Sequence, residues 1–181
     1  MQIFQNSRCI NRWLKKPISA NSYQHWLIDN GSLTLRLMQR HPSFSVKPLS
    51  MRVVKPLQDE KSLLHLKSGQ AALIREVLLM SNNQPVVFAH SVLSKESLHG
   101  DWQGFGQLGS QSLGAALFAN PRVKRTPLRF RKLSKRHMLY QLAVKHIVDT
   151  PNFLWARRSV FSLHCANILV TEIFLPKILE K

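Results

Sequence analysis

Two pairs of apolar runs, each broken by a short turn cluster, constrain this chain more than any other feature. "AALIREVLLM" (71–80) and "QPVVFAHSVL" (84–93) flank Ser81-Asn82-Asn83. "WARRSVFSLH" (155–164) and "ILVTEIFL" (168–175) flank Cys165-Ala166-Asn167. Runs of this length, bounded by Asn and Ser, read as antiparallel hairpins. Helical patterns precede the first hairpin and lie between the two. The combination predicts an α+β domain built on an antiparallel sheet.

The stretch from Ser22 to Leu37 reads as a helix, a break at Asn30-Gly31, and a second helical start with Ser32 as N-cap. "HPSFSVKPLSMRVVKPL" holds three prolines among alternating apolar positions, which predicts irregular strands. "LGSQSLGAALF" (108–118) reads as a glycine-containing loop entering a short helix. Residues 133–148 read as an amphipathic helix, with Tyr140, Val144, Ile147 and Val148 toward one side. With 181 residues, a single domain spanning 1–181 is the expectation.

Each hairpin carries a charge where an apolar residue belongs. Side chains two apart on a strand share a face. Arg75 therefore faces with Leu73, Val77 and Leu79, while Glu76 points the other way. Glu172 faces with Ile168, Val170 and Phe174. An unpaired charge in an apolar layer is costly. Either these residues are half-exposed or form one structural ion pair, or the charges are wanted inside a cavity. In a cavity, the arginine fork matches a carboxylate. A carboxylate in apolar surroundings could serve as a general acid or as a partner for a hydroxyl. His90, which shares a face with Val86, Phe88 and Val92, reads as a core histidine.

Other chemistry finds little support. The eight histidines show no metal-ligand spacing, so no metal is expected. Gly104, Gly106, Gly109 and Gly114 lack the strand and the G-K-[ST] of a phosphate loop. No nucleophile elbow is present. Cys9 and Cys165 make no disulfide framework, which with the absence of a signal-peptide pattern or a long apolar span points to the cytoplasm. Lys and Arg number 26 against 9 Asp and Glu, a formal +17, so anionic partners are expected.

In order along the chain, "HWLIDNGSLTLRL", "LIREVLL", "QPVVFAHSVL", "LGSQSLGAALF", "LWARRSVFSL" and "LVTEIFLP" resemble the chorismate pyruvate-lyase (4-hydroxybenzoate synthase) family. The resemblance runs from about Trp26 to Pro176. It implies a single antiparallel sheet with helices and flaps closing an internal ligand cavity. It also implies cofactor-independent cleavage of chorismate to 4-hydroxybenzoate and pyruvate, the first step of ubiquinone biosynthesis. The family's cavity arginine falls on Arg75 and its cavity glutamate on Glu172. Two backbone contacts fall on Leu33 and Leu113. Arg75 would clamp the ring carboxylate, and Glu172 would stand near the ring hydroxyl and the ether oxygen.

Two departures from the family pattern stand out. His90 replaces an arginine, which leaves the second substrate carboxylate without an assigned partner. The segment 121–154 reads as a basic extended insertion. Its run of Arg122, Lys124, Arg125, Arg129, Arg131, Lys132, Lys135 and Arg136 suggests weak peripheral contact with anionic membrane, or a solvated flap that steers substrate. A monomer is the expectation. Two other readings stay open: a non-catalytic effector-sensing domain of the same fold, and a nucleic-acid binder. The latter has only the charge behind it, so no specific nucleic acid is expected.

Overall fold

A computed structural model describes residues 12–40 and 43–180 of the chain. The elements in order are α1 (Gln24–Leu27), α2 (Leu33–Arg40), β1 (Ser45–Val54), α3 (Gln58–Leu63), β2 (Ala72–Ser81) and β3 (Gln84–Ser94). Then follow α4 (Lys95–His99), α5 (Leu113–Ala119), β4 (Lys124–Arg125), β5 (Arg129–Ser134), α6 (Met138–Val144), β6 (Phe153–Leu163) and β7 (Ala166–Phe174). All strand pairs are antiparallel. The sheet runs β1-β2-β3-β7-β6-β4, with β5 also on β6.

Both predicted hairpins form, each with a shorter turn. Asn82 and Asn83 alone make the first, at φ +48° and +59°. Two successive positive φ values belong to a type I′ turn, whose twist matches the strands and which asparagine tolerates. In the second hairpin the turn is His164-Cys165, because Leu163 pairs with Ala166. This places Ala166 and Asn167 in β7. Cys165 is exposed, and Cys9 lies outside the described residues.

The proline-rich stretch forms β1, a largely exposed edge strand with an irregularity between Pro48 and Ser50. Proline cannot donate to a ladder, so an edge with a bulge is where it fits.

One face of the sheet packs Val77, Leu79, Trp155 and Phe174 against Trp26, Leu27, Leu33 and Leu37 from the front helices. Leu73, Phe161 and Ile168 continue this face under Leu113 and Leu117 of α5. The opposite face packs Leu78, Phe88, Ala156 and Ile173 against Leu139, Tyr140 and Ala143 of α6.

The expected helix over 133–148 is shorter than its pattern. Strand β5 continues through Ser134, and α6 starts only after His137, whose side chain accepts from Leu139 N–H. Tyr140 is buried and its hydroxyl donates to Pro151 O, which ties the end of the segment down. Val148 is 96% exposed, against its expected place on the apolar side. The chain has already left the helix at Val144. The segment 121–154 thus supplies β4, β5 and α6, all within the sheet and its cover.

Candidate active site

Arg75 and Glu172 come together. They line one cavity between the front face of the sheet and the starts of α2 and α5. Strand alternation aims them there. Arg75 pairs across β2–β3 with Ser91, Ser91 pairs with Val170, and all three line the space. Glu172 is flanked by Ala89 on β3 and Arg157 on β6.

The two backbone positions lie on the facing wall. Leu33 is the first residue of α2, and Ser32 Oγ accepts from Leu35 N–H at 3.3 Å, as expected for its N-cap. Leu113 opens α5 behind Ser112, whose Oγ accepts from Ala115 N–H at 3.2 Å. Ser112 also donates to Thr34 Oγ1 at 2.8 Å and so links the two helix starts. Gly114 fits their closeness. A Cβ there would sit 3.1 Å from Thr34 Oγ1 and 3.5 Å from Ser32 Oγ. First-turn amides of both helices therefore border one space, where unpaired N–H groups favour an anion.

Arg75 is 3% exposed. Its Nη2 donates to Gly109 O at 2.9 Å and Gln111 O at 3.0 Å, both in the loop before α5. Its Nε is buried without a partner among the described residues. Burial lowers the guanidinium below its ordinary pKa. On its other side Arg75 borders an open cleft formed by Pro48, Leu49, Ser50, Met51, Gly106 and Gly109. The inner cavity is narrow, about 40 Å³. Ligand pockets commonly measure about 300–1,000 Å³, so the cavity must widen to admit a ring.

Glu172 has a partner that sequence reasoning did not assign. Arg157 Nε donates to Glu172 Oε2 at 2.5 Å. Arg157 is fully buried, and its Nη1 donates to Trp26 O at 2.8 Å and Asp29 O at 2.6 Å. The expected alternative, an ion pair between the two strand charges, is not the one formed. In the sequence Arg125 stands out only as part of a basic run, yet it also lines the cavity, with Ser159 and Phe161. "LWARRS" carried a signal for Arg157, since its alternation puts Arg157 and Arg158 on opposite faces. Nothing local marked Arg125, which sits in a two-residue strand.

His90 is not at the site. It pairs with Glu76, one residue out of phase with Ala89, and so projects from the opposite face. Its Nδ1 stands 3.3 Å from Glu76 Oε1. Its Nε2 is 3.2 Å from Glu60 Oε1, an ion-pair contact too poorly aligned to count as a hydrogen bond. Burial disfavours the imidazolium, but the two carboxylates outweigh it and push His90 up to about 9. His90 therefore contributes to a charge cluster behind the sheet and not to the cavity.

Among the described residues, no group of three or more His, Cys, Asp and Glu could hold a metal ion, and no helix is long and apolar enough to cross a membrane.

A sequence model described as chorismate lyase matches residues 11–181. This chain belongs to the chorismate lyase family. A protein of Methylobacillus flagellatus named "Probable chorismate pyruvate-lyase" is 47% identical, over 94% of this chain and 96% of that protein. One of Nitrosomonas europaea with the same name is 46% identical, over 92% and 94%. Among solved structures, the effector domain of PhnF from Mycobacterium smegmatis aligns with TM-score 0.57 at 14% identity, covering 81% of this chain and 90% of that one. A GntR-family regulator from Bacillus cereus gives 0.54 at 13%, over 74% and 92%. At such identity the likeness shows the fold alone: a chorismate lyase family member shares its sheet and helices with these regulator domains.

Proposed function

We propose that this chain cleaves chorismate to 4-hydroxybenzoate and pyruvate. The observation that carries the reading is the convergence of Arg75 and Glu172 on one narrow cavity, beside two helix starts, in a member of this family.

The reaction breaks the bond between ring carbon 3 and the ether oxygen. The hydrogen on carbon 4 leaves as the ring becomes aromatic. The enolpyruvyl methylene gains a proton and becomes the methyl of pyruvate. Atoms and electrons balance without an oxidant or reductant. Aromatisation supplies driving force, so the protein's share is orientation and charge stabilisation. For this reason the proposal includes no metal or organic cofactor.

Arg75 takes the ring carboxylate through its unpartnered Nε, assisted by the amides at Leu33 and Leu113. Glu172, held by Arg157, accepts from the hydroxyl at carbon 4 and fixes the ring's rotation. The protein acts as a cytoplasmic monomer, and its 4-hydroxybenzoate enters ubiquinone synthesis.

Purified protein is incubated with chorismate, and pyruvate and 4-hydroxybenzoate are measured together. Equal release of both supports the reading. The fold shared with effector domains favours one second reading, a sensor that binds 4-hydroxybenzoate without turnover. Tight binding of 4-hydroxybenzoate with no pyruvate release would establish the sensor.

A further inference from the structure

We infer that Arg125 holds the enolpyruvyl carboxylate of the substrate. The inference rests on the chorismate reading above and assigns the carboxylate that Arg75 leaves unpaired.

Chorismate is a dianion, with one carboxylate on the ring and one on the enolpyruvyl group. Two cationic groups beyond those neutralised internally would match its charge. Arg157 is not one of them. Its Nε is committed to Glu172 and its Nη1 to main-chain carbonyls, and it lies outside the cavity lining. Arg75 and Arg125 are the guanidinium groups on the lining. Two cations facing a dianion, with Glu172 and Arg157 neutralising each other, closes the charge count.

Arg125 is fixed in place on four sides. Its Nε donates to Ser159 Oγ at 2.8 Å and its Nη1 to Asn30 O at 2.8 Å. Its guanidinium carbon lies 5.1 Å from the Phe161 ring centre and 5.4 Å from that of Phe118. These two rings meet edge to face at 5.7 Å. A guanidinium anchored through two nitrogens and packed on two rings loses little freedom when a carboxylate arrives. The proposal gives the third nitrogen, Nη2, to that carboxylate.

The assignment of ends follows from the neighbours. Arg75 is tied to the loop at Gly109 and Gln111. Arg125 is tied to Asn30 and Ser159, and the charges acting on it are those of Glu172, Arg157 and Asp29. The two guanidinium groups thus belong to different walls, with Arg125 at the Glu172 end. A ring whose carboxylate rests on Arg75 turns its ether and hydroxyl carbons toward Glu172. The enolpyruvyl carboxylate then meets Arg125. As the ether bond breaks, negative charge grows on the departing enolpyruvate, and Arg125 faces it. The other product, 4-hydroxybenzoate, has no group for Arg125.

That asymmetry gives the test. Arg125→Gln and Arg125→Lys are compared with the unchanged protein for chorismate turnover, affinity for 4-hydroxybenzoate and thermal melting. Loss of a charged contact to substrate predicts a kcat/KM lower by roughly 10²-fold or more in Arg125→Gln. Affinity for 4-hydroxybenzoate stays unchanged, and Arg125→Lys recovers part of the loss. Unchanged kcat/KM in Arg125→Gln overturns the inference. So does a parallel loss of affinity for 4-hydroxybenzoate, which would make Arg125 a wall residue. If the unchanged protein binds chorismate without turning it over, the functional reading fails by itself. The same comparison is then made on the affinities for chorismate and 4-hydroxybenzoate, and Arg125→Gln must weaken only the first.

Discussion

Arg157 Nε stands 2.5 Å from Glu172 Oε2, across the β6–β7 pair. The contact explains how an acidic residue sits in an apolar strand. Arg157 supplies the counter-charge, and the carbonyls of Trp26, Leu27 and Asp29 take up its Nη1. The pair also joins the front helices to the sheet beneath the cavity.

Removing the cation should cost more than removing the anion's charge. Arg157→Met leaves Glu172 without its counter-ion and three carbonyls without their donor. Breaking a buried pair in this way typically costs about 3–5 kcal/mol. Denaturant unfolding measures the loss, and a change below about 1 kcal/mol would mean that the pair does not anchor the fold.

Glu172→Gln is expected to fold and to lose most of its rate. Glutamine keeps the shape but not the charge facing the substrate hydroxyl. If Glu172 also moves a proton in the reaction, the expected loss in kcat is roughly 10²–10⁴-fold, the range for a general acid or base. A near-normal rate would reduce Glu172 to the counter-ion of Arg157.

Arg75→Ala should weaken binding of 4-hydroxybenzoate by about 2–5 kcal/mol, as expected when one member of a desolvated charge pair is truncated. Calorimetric titration reads it directly. Unchanged affinity would remove Arg75 from the ligand and leave it only as the tie to Gly109 and Gln111.

Stability should fall at alkaline pH through His90. Its folded pKa, about 9, lies above the ordinary 6.5 because Glu60 and Glu76 favour the imidazolium against burial. The groups facing it also include Ser50 and Arg52, both on Glu76. A raised pKa gives stability that is fully present below about pH 6.5 and lost as the pH rises through about 9. Unfolding measured from pH 6 to 10 should show that slope in the unchanged protein and lack it in His90→Gln. Identical slopes in the two proteins would refute the assignment.

Peripheral contact with anionic membrane remains a proposal, resting on a smaller patch than the basic run suggested. Arg125 lines the cavity, and Arg131 stands 3.9 Å from Asp59. Arg122 and Lys124 are exposed, and Lys132, Lys135 and Arg136 form an exposed group with Met138 and Phe153, with Lys132 Nζ 3.9 Å from the Phe153 ring centre. Each such charge contributes about 1 kcal/mol near an anionic surface. The protein should pellet with anionic but not neutral vesicles at low salt. Replacing the three cations by Gln should abolish pelleting. Failure of the unchanged protein to pellet would end the idea.

The sequence by itself determined the two hairpins, the helix start behind Ser32, a short helix within 108–118, and the faces of Arg75, Glu76 and Glu172. Each is a local property, set by the two-residue period of a strand or by a serine cap. What tertiary structure decided was who meets whom. With Cys165-Ala166-Asn167 as the turn, Glu172 would lie opposite Val160. The observed two-residue turn shifts the register by three and brings Arg157 across. An odd shift also exchanges faces, so the pairing could not be read from alternation alone. Likewise His90, one position from Ala89, belongs to a charge cluster on the far side of the sheet from the cavity. Arg125 reaches the cavity because β4 pairs with Phe161 and Ser162, a contact between distant parts of the chain. Two residues of strand give too short a pattern to show a face. Its role therefore depends on the assembled sheet, where burial and non-local pairing draw Arg125 and Arg131 inward and leave Lys124, Lys132, Lys135 and Arg136 in water.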